Sequence, residues 1–113
     1  MLKSAKTIRF EIFIAGDIGQ AKQTCRKYCF EVGLCVTVEA VTYIYTGGEE
    51  LGVRVGIINY PRFPEDIEKL RLHASKLANL LMHDLCQHSY SIVGPDNIEW
   101  HSRRETPTKD VTP

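Results

Sequence analysis

From Pro64 to Leu85 the chain reads PEDIEKLRLHASKLANLLMHDL, with Ile67, Leu70, Ala74, Leu77, Leu81 and Leu85 at helical spacing. Only an α-helix gathers such positions on one side, so the run predicts an amphipathic helix of about five or six turns. Pro64, Glu65 and Asp66 suit its first turn: the missing proline amide costs nothing there, and the acids complement the helix dipole. PRFP, which opens at Pro61, ends whatever precedes it, because proline cannot donate to a β-ladder and restricts the residue before it. A helix with one apolar stripe must bury that stripe on another layer, so the periods elsewhere decide the fold.

Thr7 to Ile14 alternates, with Ile8, Phe10, Ile12 and Ile14 on one side and Thr7, Arg9, Glu11 and Phe13 on the other, as in a half-buried strand. Asp17 then stands where a helix N-cap belongs, and Gln20 completes a capping-box spacing. Ile18, Ala21, Cys25, Tyr28, Cys29 and Val32 give the first helix its core face, and Gly33 stops it. From Leu34 the period returns to two, placing Leu34, Val36, Val38, Ala40 and Ile44 inward. After TGGEELG comes VRVGIINY, Val53 to Tyr60, with Val53, Val55 and Ile57 inward and Arg54, Gly56, Ile58 and Tyr60 outward. SYSIV and NIEWH flank the turn cluster GPDN; either they form a hairpin or the second alone is the last main strand.

The order βαββαβ resembles the split-βαβ, ferredoxin-like arrangement over Thr7 to His101. That resemblance implies an α+β fold, a four-stranded antiparallel sheet with both helices on one face. A chain of 113 residues with 43% hydrophobic and 25% charged residues suits one such domain, 1–102, followed by a mobile tail, 103–113. The architecture hosts many unrelated activities and does not supply one here.

Fourteen basic and fourteen acidic side chains cancel, removing the global field that draws proteins to nucleic acid or anionic lipid. No apolar run reaches signal-peptide or membrane-span length, so a cytoplasmic protein is expected. Cys25, Cys29, Cys35 and Cys86 are then expected as reduced thiols. Cys25 and Cys29 lie one turn apart on the core face and lack zinc-knuckle spacing, which favours burial over metal binding. No helical metal pair is spaced among His73, His83 and His88, which read as solvated; His101 reads as structural beside a core Trp100.

TGGEE fails as a phosphate cradle, because its glycines lead into a strand, and Glu49 and Glu50 stand where a P-loop carries Lys and Ser or Thr. Gly47, Gly48 and Gly52 are expected to serve backbone geometry with positive φ. No cofactor or metal is expected. Glu11 and Glu39 share a sheet face with Arg9 and Arg54, so ion pairing is expected before catalysis.

The outward sheet face collects arginine and aromatics, residues that interfaces favour. Phe13, Tyr43, Tyr45, Arg54, Ile58 and Tyr60 on the sheet, with Leu72 and Leu80 on the outer face of the second helix, are therefore the expected partner-binding residues. These features predict a small non-enzymatic interaction or regulatory protein, self-associating as a homodimer or binding a protein partner. An alternative from another class is a small-ligand or nucleotide-binding domain, possibly an enzyme, with its site at the sheet and the 46–52 loop. Single-stranded nucleic-acid binding on the sheet is a third reading, weakened because VRVGIINY departs from the RNP1 pattern of RNA-recognition domains.

Overall fold

The computed structural model describes residues 1–104; of the tail expected over 103–113, residues 105–113 lie outside the described residues. Its elements are β1 (Arg9–Ala15), α1 (Ile18–Val32), β2 (Thr37–Tyr45), β3 (Gly48–Ile58), α2 (Ile67–Asp84), β4 (Ser89–Val93) and β5 (Ile98–Ser102). All neighbouring strands run antiparallel, in the order β2-β3-β1-β4-β5. The first four strands have the expected ferredoxin-like arrangement, and the fold is α+β with both helices packed on the sheet. The sheet has five strands rather than the expected four. SYSIV and NIEWH do form a hairpin, closed where the Gly94 amide donates to the Asn97 carbonyl at 2.9 Å, and its second arm becomes an additional edge strand.

The core lies between the sheet and the helices. Phe10, Ile12, Val53, Val55 and Ile57 from the strands meet Leu70, Leu77 and Leu81 of α2 and Ala21 and Cys25 of α1. Asp17 caps α1 by accepting from the Gln20 amide at 2.9 Å, and Gly33 ends the helix with φ 72° and ψ 55°. The long helix starts later than the sequence suggests. Asp66 is its N-cap, accepting from the Lys69 amide at 2.8 Å, while Pro64 and Glu65 belong to the preceding connection. Asn59 supports that connection: its side chain accepts from the Glu65 amide at 2.9 Å and donates to the Lys6 carbonyl at 2.9 Å.

Four further expectations change. Residues 48–52 are strand rather than loop, so the hairpin turns on Thr46 and Gly47 alone. Among its three glycines only Gly47 has a positive φ, 89°. Ile44 points to the helix side as its period requires, yet is 81% exposed, because β2 and β3 run past the end of α1 and nothing covers their tip. Trp100 is opposite Ser91 on the face turned away from the helices and is 53% exposed, so it is not a core residue; His101 instead stacks on buried Tyr90, with ring centroids 5.2 Å apart.

Two side-chain bonds tie the helices together. Buried Thr24 donates to Asp84 Oδ2 at 2.7 Å, and Tyr28 Oη lies 2.7 Å from His73 Nδ1. His73 is therefore half-buried and engaged rather than solvated, as the sequence reading had it. Its pKa falls below 6.5, first because of burial, then through Lys69 and Lys76, with Glu65 opposing. The unfolded chain thus binds this proton more readily than the folded one. The contribution of neutral His73 is complete above pH 6.5 and is lost as pH falls through its depressed folded value. Between pH 7 and 5 the urea midpoint of wild type should fall more steeply than that of His73→Gln, which retains an acceptor for Tyr28; equal slopes would refute this assignment.

Candidate functional site

The overhanging hairpin, the β1–α1 turn and the α2–β4 turn enclose a cleft of about 430 Å³, within the roughly 300–1,000 Å³ of small-molecule sites. Its floor is strand: Ala40, Val41 and Thr42 from β2, with Glu50, Leu51 and Gly52 from β3. Gly16, Asp17 and Ile18 form one lip and Gln87 the other. The Gly16 amide donates to the Leu51 carbonyl at 3.0 Å, fastening lip to floor. Gly16 has φ 134°, and a Cβ there would stand 2.9 Å from that of Leu85, so glycine alone lets the turn pass over the end of α2. On the other side Cys86 takes a left-handed φ of 56°, and the Gln87 amide closes back onto the Met82 carbonyl at 2.9 Å. That reversal delivers Gln87 to the cleft.

The hairpin is held flat beside the cleft by Tyr43. Its hydroxyl donates to the Val53 carbonyl at 3.2 Å and lies 3.4 Å from that of Ile14, and its ring occupies the space that a side chain at position 52 would need. A Cβ on Gly52 would also come within 2.6 Å of the Ile14 carbonyl oxygen. Gly52 is therefore required by close packing rather than by its φ. Burial, with Glu50 nearby adding to it, pushes the Tyr43 phenol up to about 12 against the opposing bond to Ile14. Tyr43 is a structural bolt with its hydroxyl already committed.

Glu50 is the cross-strand partner of Tyr43 and makes no ion pair among the described residues. By strand alternation the Glu50 side chain lies with Tyr43 on the uncovered face, not on the helix side where the cleft opens. Asp17 is the carboxylate of the cleft, and no lysine, arginine or histidine lines it. Ile18, Ala40 and Leu51 supply apolar wall. The site therefore suits a ligand with an apolar body, hydrogen-bond donors and positive charge.

The partner-binding residues expected from the sequence are not one surface. Phe13, Arg54 and Ile58 share the uncovered sheet face with Tyr43 and Tyr45 by strand alternation. Arg54 is occupied by Glu39 at 2.8 Å and Glu11 at 3.5 Å, the pairing anticipated for that face. Tyr60 lies beyond β3, where its hydroxyl accepts from Cys35 Sγ at 3.5 Å. Leu72 and Leu80 are exposed on the far side of α2. Sequence reasoning passed over Asp17 and Gln87 as site residues, because Asp17 reads first as an N-cap and Gln87 lies between elements.

No protein-family profile matches the chain, and no curated protein does. Two solved structures do. A phage SAM lyase in its apo state superposes with a TM-score of 0.70 at 18% identity, covering 94% of this chain and 98% of that one. This protein has the fold of the phage SAM lyase. A phage SAM lyase in complex with S-methyl-5'-thioadenosine matches with a TM-score of 0.65 at 14% identity, covering 94% and 97%. These lyase matches correct the expectation of a non-enzymatic interaction or regulatory protein: the architecture is that of an enzyme, in one case with a small molecule bound. They favour the alternative class, a small-ligand-binding domain, over that reading. Among the described residues no helix is long and apolar enough to cross a membrane.

Gly52→Ala should lower unfolding free energy by about 1–3 kcal/mol, because both the Tyr43 ring and the Ile14 carbonyl must shift. Gly56→Ala should cost less, since its Cβ would meet the movable Thr37 hydroxyl rather than backbone. Urea unfolding of the two variants measures the order; the reverse order would refute the role assigned to Tyr43.

Proposed function

We propose that this chain is an enzyme that binds S-adenosylmethionine in the cleft between the β1–α1 turn and the β2–β3 hairpin and cleaves it without water to S-methyl-5'-thioadenosine. The observation that carries the reading is the chemistry of the cleft: a carboxylate and apolar walls, with no basic side chain, in a chain that has the fold of a SAM lyase. S-adenosylmethionine carries adenine, ribose, a sulfonium and an amino-acid end with an ammonium and a carboxylate, so it is a net cation without phosphate. Phosphate would meet Asp17 without a balancing cation. Asp17 has also taken the α1 N-terminus, where an anion would otherwise bind, by accepting from the Gln20 amide itself.

The reaction breaks the bond between the sulfonium sulfur and the amino-acid carbon. Sulfur keeps the electron pair and leaves as a neutral thioether. The electron-poor carbon is satisfied within the amino-acid fragment, by its own carboxylate closing on it or by loss of a neighbouring proton. Positive charge disappears from sulfur along this path, so a carboxylate pressed against the sulfonium would stabilise substrate more than transition state. Ile18, Ala40 and Leu51 are therefore assigned to the reacting sulfur, and Asp17 to the ammonium. Such charge-assisted hydrogen bonds are worth about 1.5–3 kcal/mol each.

Purified protein incubated with S-adenosylmethionine should release S-methyl-5'-thioadenosine, quantified by chromatography. Asp17→Asn preserves an N-cap while removing charge and should lower kcat/KM by about 10- to 100-fold. Leu72→Ser should leave turnover unchanged. Both S-adenosylmethionine and S-methyl-5'-thioadenosine should raise the melting temperature. No product above a protein-free blank, together with no thermal shift from either compound, would overturn the proposal.

A further inference from the structure

Farther along α1 and β2 the domain carries a thiol-rich depression that the proposed reaction does not use. A groove of about 470 Å³ is lined by Lys22, Cys25, Arg26, Cys29 and Cys35, with Leu34, Val36 and Val38 as its apolar part. Three of the chain's four cysteines thus meet beside two cations. The convergence follows from the end of α1: the Gly33 and Leu34 amides both donate to the Cys29 carbonyl, at 2.9 and 3.3 Å, and this reversal brings Cys35 back over the last turn of the helix. Neither Lys22 nor Arg26 has a carboxylate partner among the described residues; Arg26 donates only to Gln23 Oε1, at 2.9 Å.

The three thiols are not equivalent. Cys25 is 3% exposed and pushed up to about 12 by burial, with Cys29 adding to it, which removes it from thiolate chemistry. Cys29 is half-buried and raised by burial and by Cys35, against the opposing amide of Val36. Cys35 is exposed and lies where the groove meets a smaller cavity of about 70 Å³ that Tyr60, Glu65, Lys69 and His73 help to line. Lys69 there is already paired with Glu65 at 3.2 Å, so the unpaired positive charge near Cys35 is on the Lys22 and Arg26 side.

We infer that Cys35 is a thiol-modification site, and that the groove with Lys22 and Arg26 selects a low-molecular-weight disulfide bearing carboxylates. In the step, the Cys35 thiolate attacks one sulfur of the disulfide. The S–S bond of the reagent breaks, its electron pair leaves on the other half as a thiolate, and a mixed disulfide forms on Cys35. Cys35 is oxidised, the departing half is reduced, and the proton of Cys35 ends on solvent or on the departing thiol. This inference is independent of the lyase reading, since the groove shares no residue with the cleft.

The probe is glutathione disulfide, with neutral hydroxyethyl disulfide as its uncharged counterpart, and adducts are located by intact mass and peptide mapping. Cys86, exposed on the opposite turn, is the internal reference for accessibility alone. Glutathione disulfide should modify Cys35 ahead of Cys86, and Cys35→Ser should abolish that adduct. Lys22→Gln with Arg26→Gln should slow the reaction at Cys35 by roughly three- to tenfold at low salt with glutathione disulfide, and leave hydroxyethyl disulfide unaffected. Equal slowing with both reagents, no slowing with either, or Cys86 reacting as fast as Cys35 with glutathione disulfide would overturn the inference. Circular dichroism of the double variant confirms that its surface substitutions leave the fold intact.

Discussion

The β2–β3 hairpin is longer than the helices that cover the sheet, and the candidate site exists because of that mismatch. At about 3.4 Å per residue the eleven residues of β3 extend some 37 Å, whereas the fifteen of α1, at about 1.5 Å each, reach about 22 Å. The seven residues of β1 match α1 closely, so the chain turns from strand to helix while the hairpin continues. Past that point one face of β2 and β3 has sheet backbone beneath it and no helix above. The cleft with its exposed Leu51, and the exposure of Ile44 beyond it, are two consequences of the same geometry.

An uncovered two-stranded ribbon twists strongly and is weakly held, so something must fix it against β1. Tyr43 does this by lying across Gly52 and bonding to the carbonyls of neighbouring strands. The glycine and the tyrosine form one device: without the missing Cβ the ring cannot lie down, and without the ring the glycine would weaken the strand. Because Gly52 also belongs to the cleft floor, the same contact fixes the backbone on which the cleft is built.

Period and punctuation in the sequence carried most of the fold. The stripe from Ile67 to Leu85, the Asp17 and Gly33 caps and the two-residue alternation of β1 and β3 each appear where they were read. Alternation states which residues share a face, but not whether another layer covers that face. Ile44 and Trp100 were accordingly assigned to a core that does not reach them. Glycine density in TGGEELG suggested a loop, because nothing local distinguishes a glycine chosen for its φ from one chosen to admit a ring two positions along the partner strand.

Two patches along one helix have opposite electrostatic characters, which a net charge of zero concealed. The β1–α1 turn holds the N-terminus of α1, a place that ordinarily attracts anions. Asp17 reverses that character by setting the protein's own carboxylate on the helix's positive end, at the lip of the cleft. Farther along α1, Lys22 and Arg26 stand beside the thiols without acids to balance them among the described residues. A cationic nucleoside substrate and an anionic disulfide would therefore be drawn to different patches of the same small domain. At about 1.5 Å per residue Asp17 and Arg26 stand roughly 14 Å apart along the helix, more than the screening length of about 8 Å at physiological salt, so a chain neutral overall can present two selective surfaces.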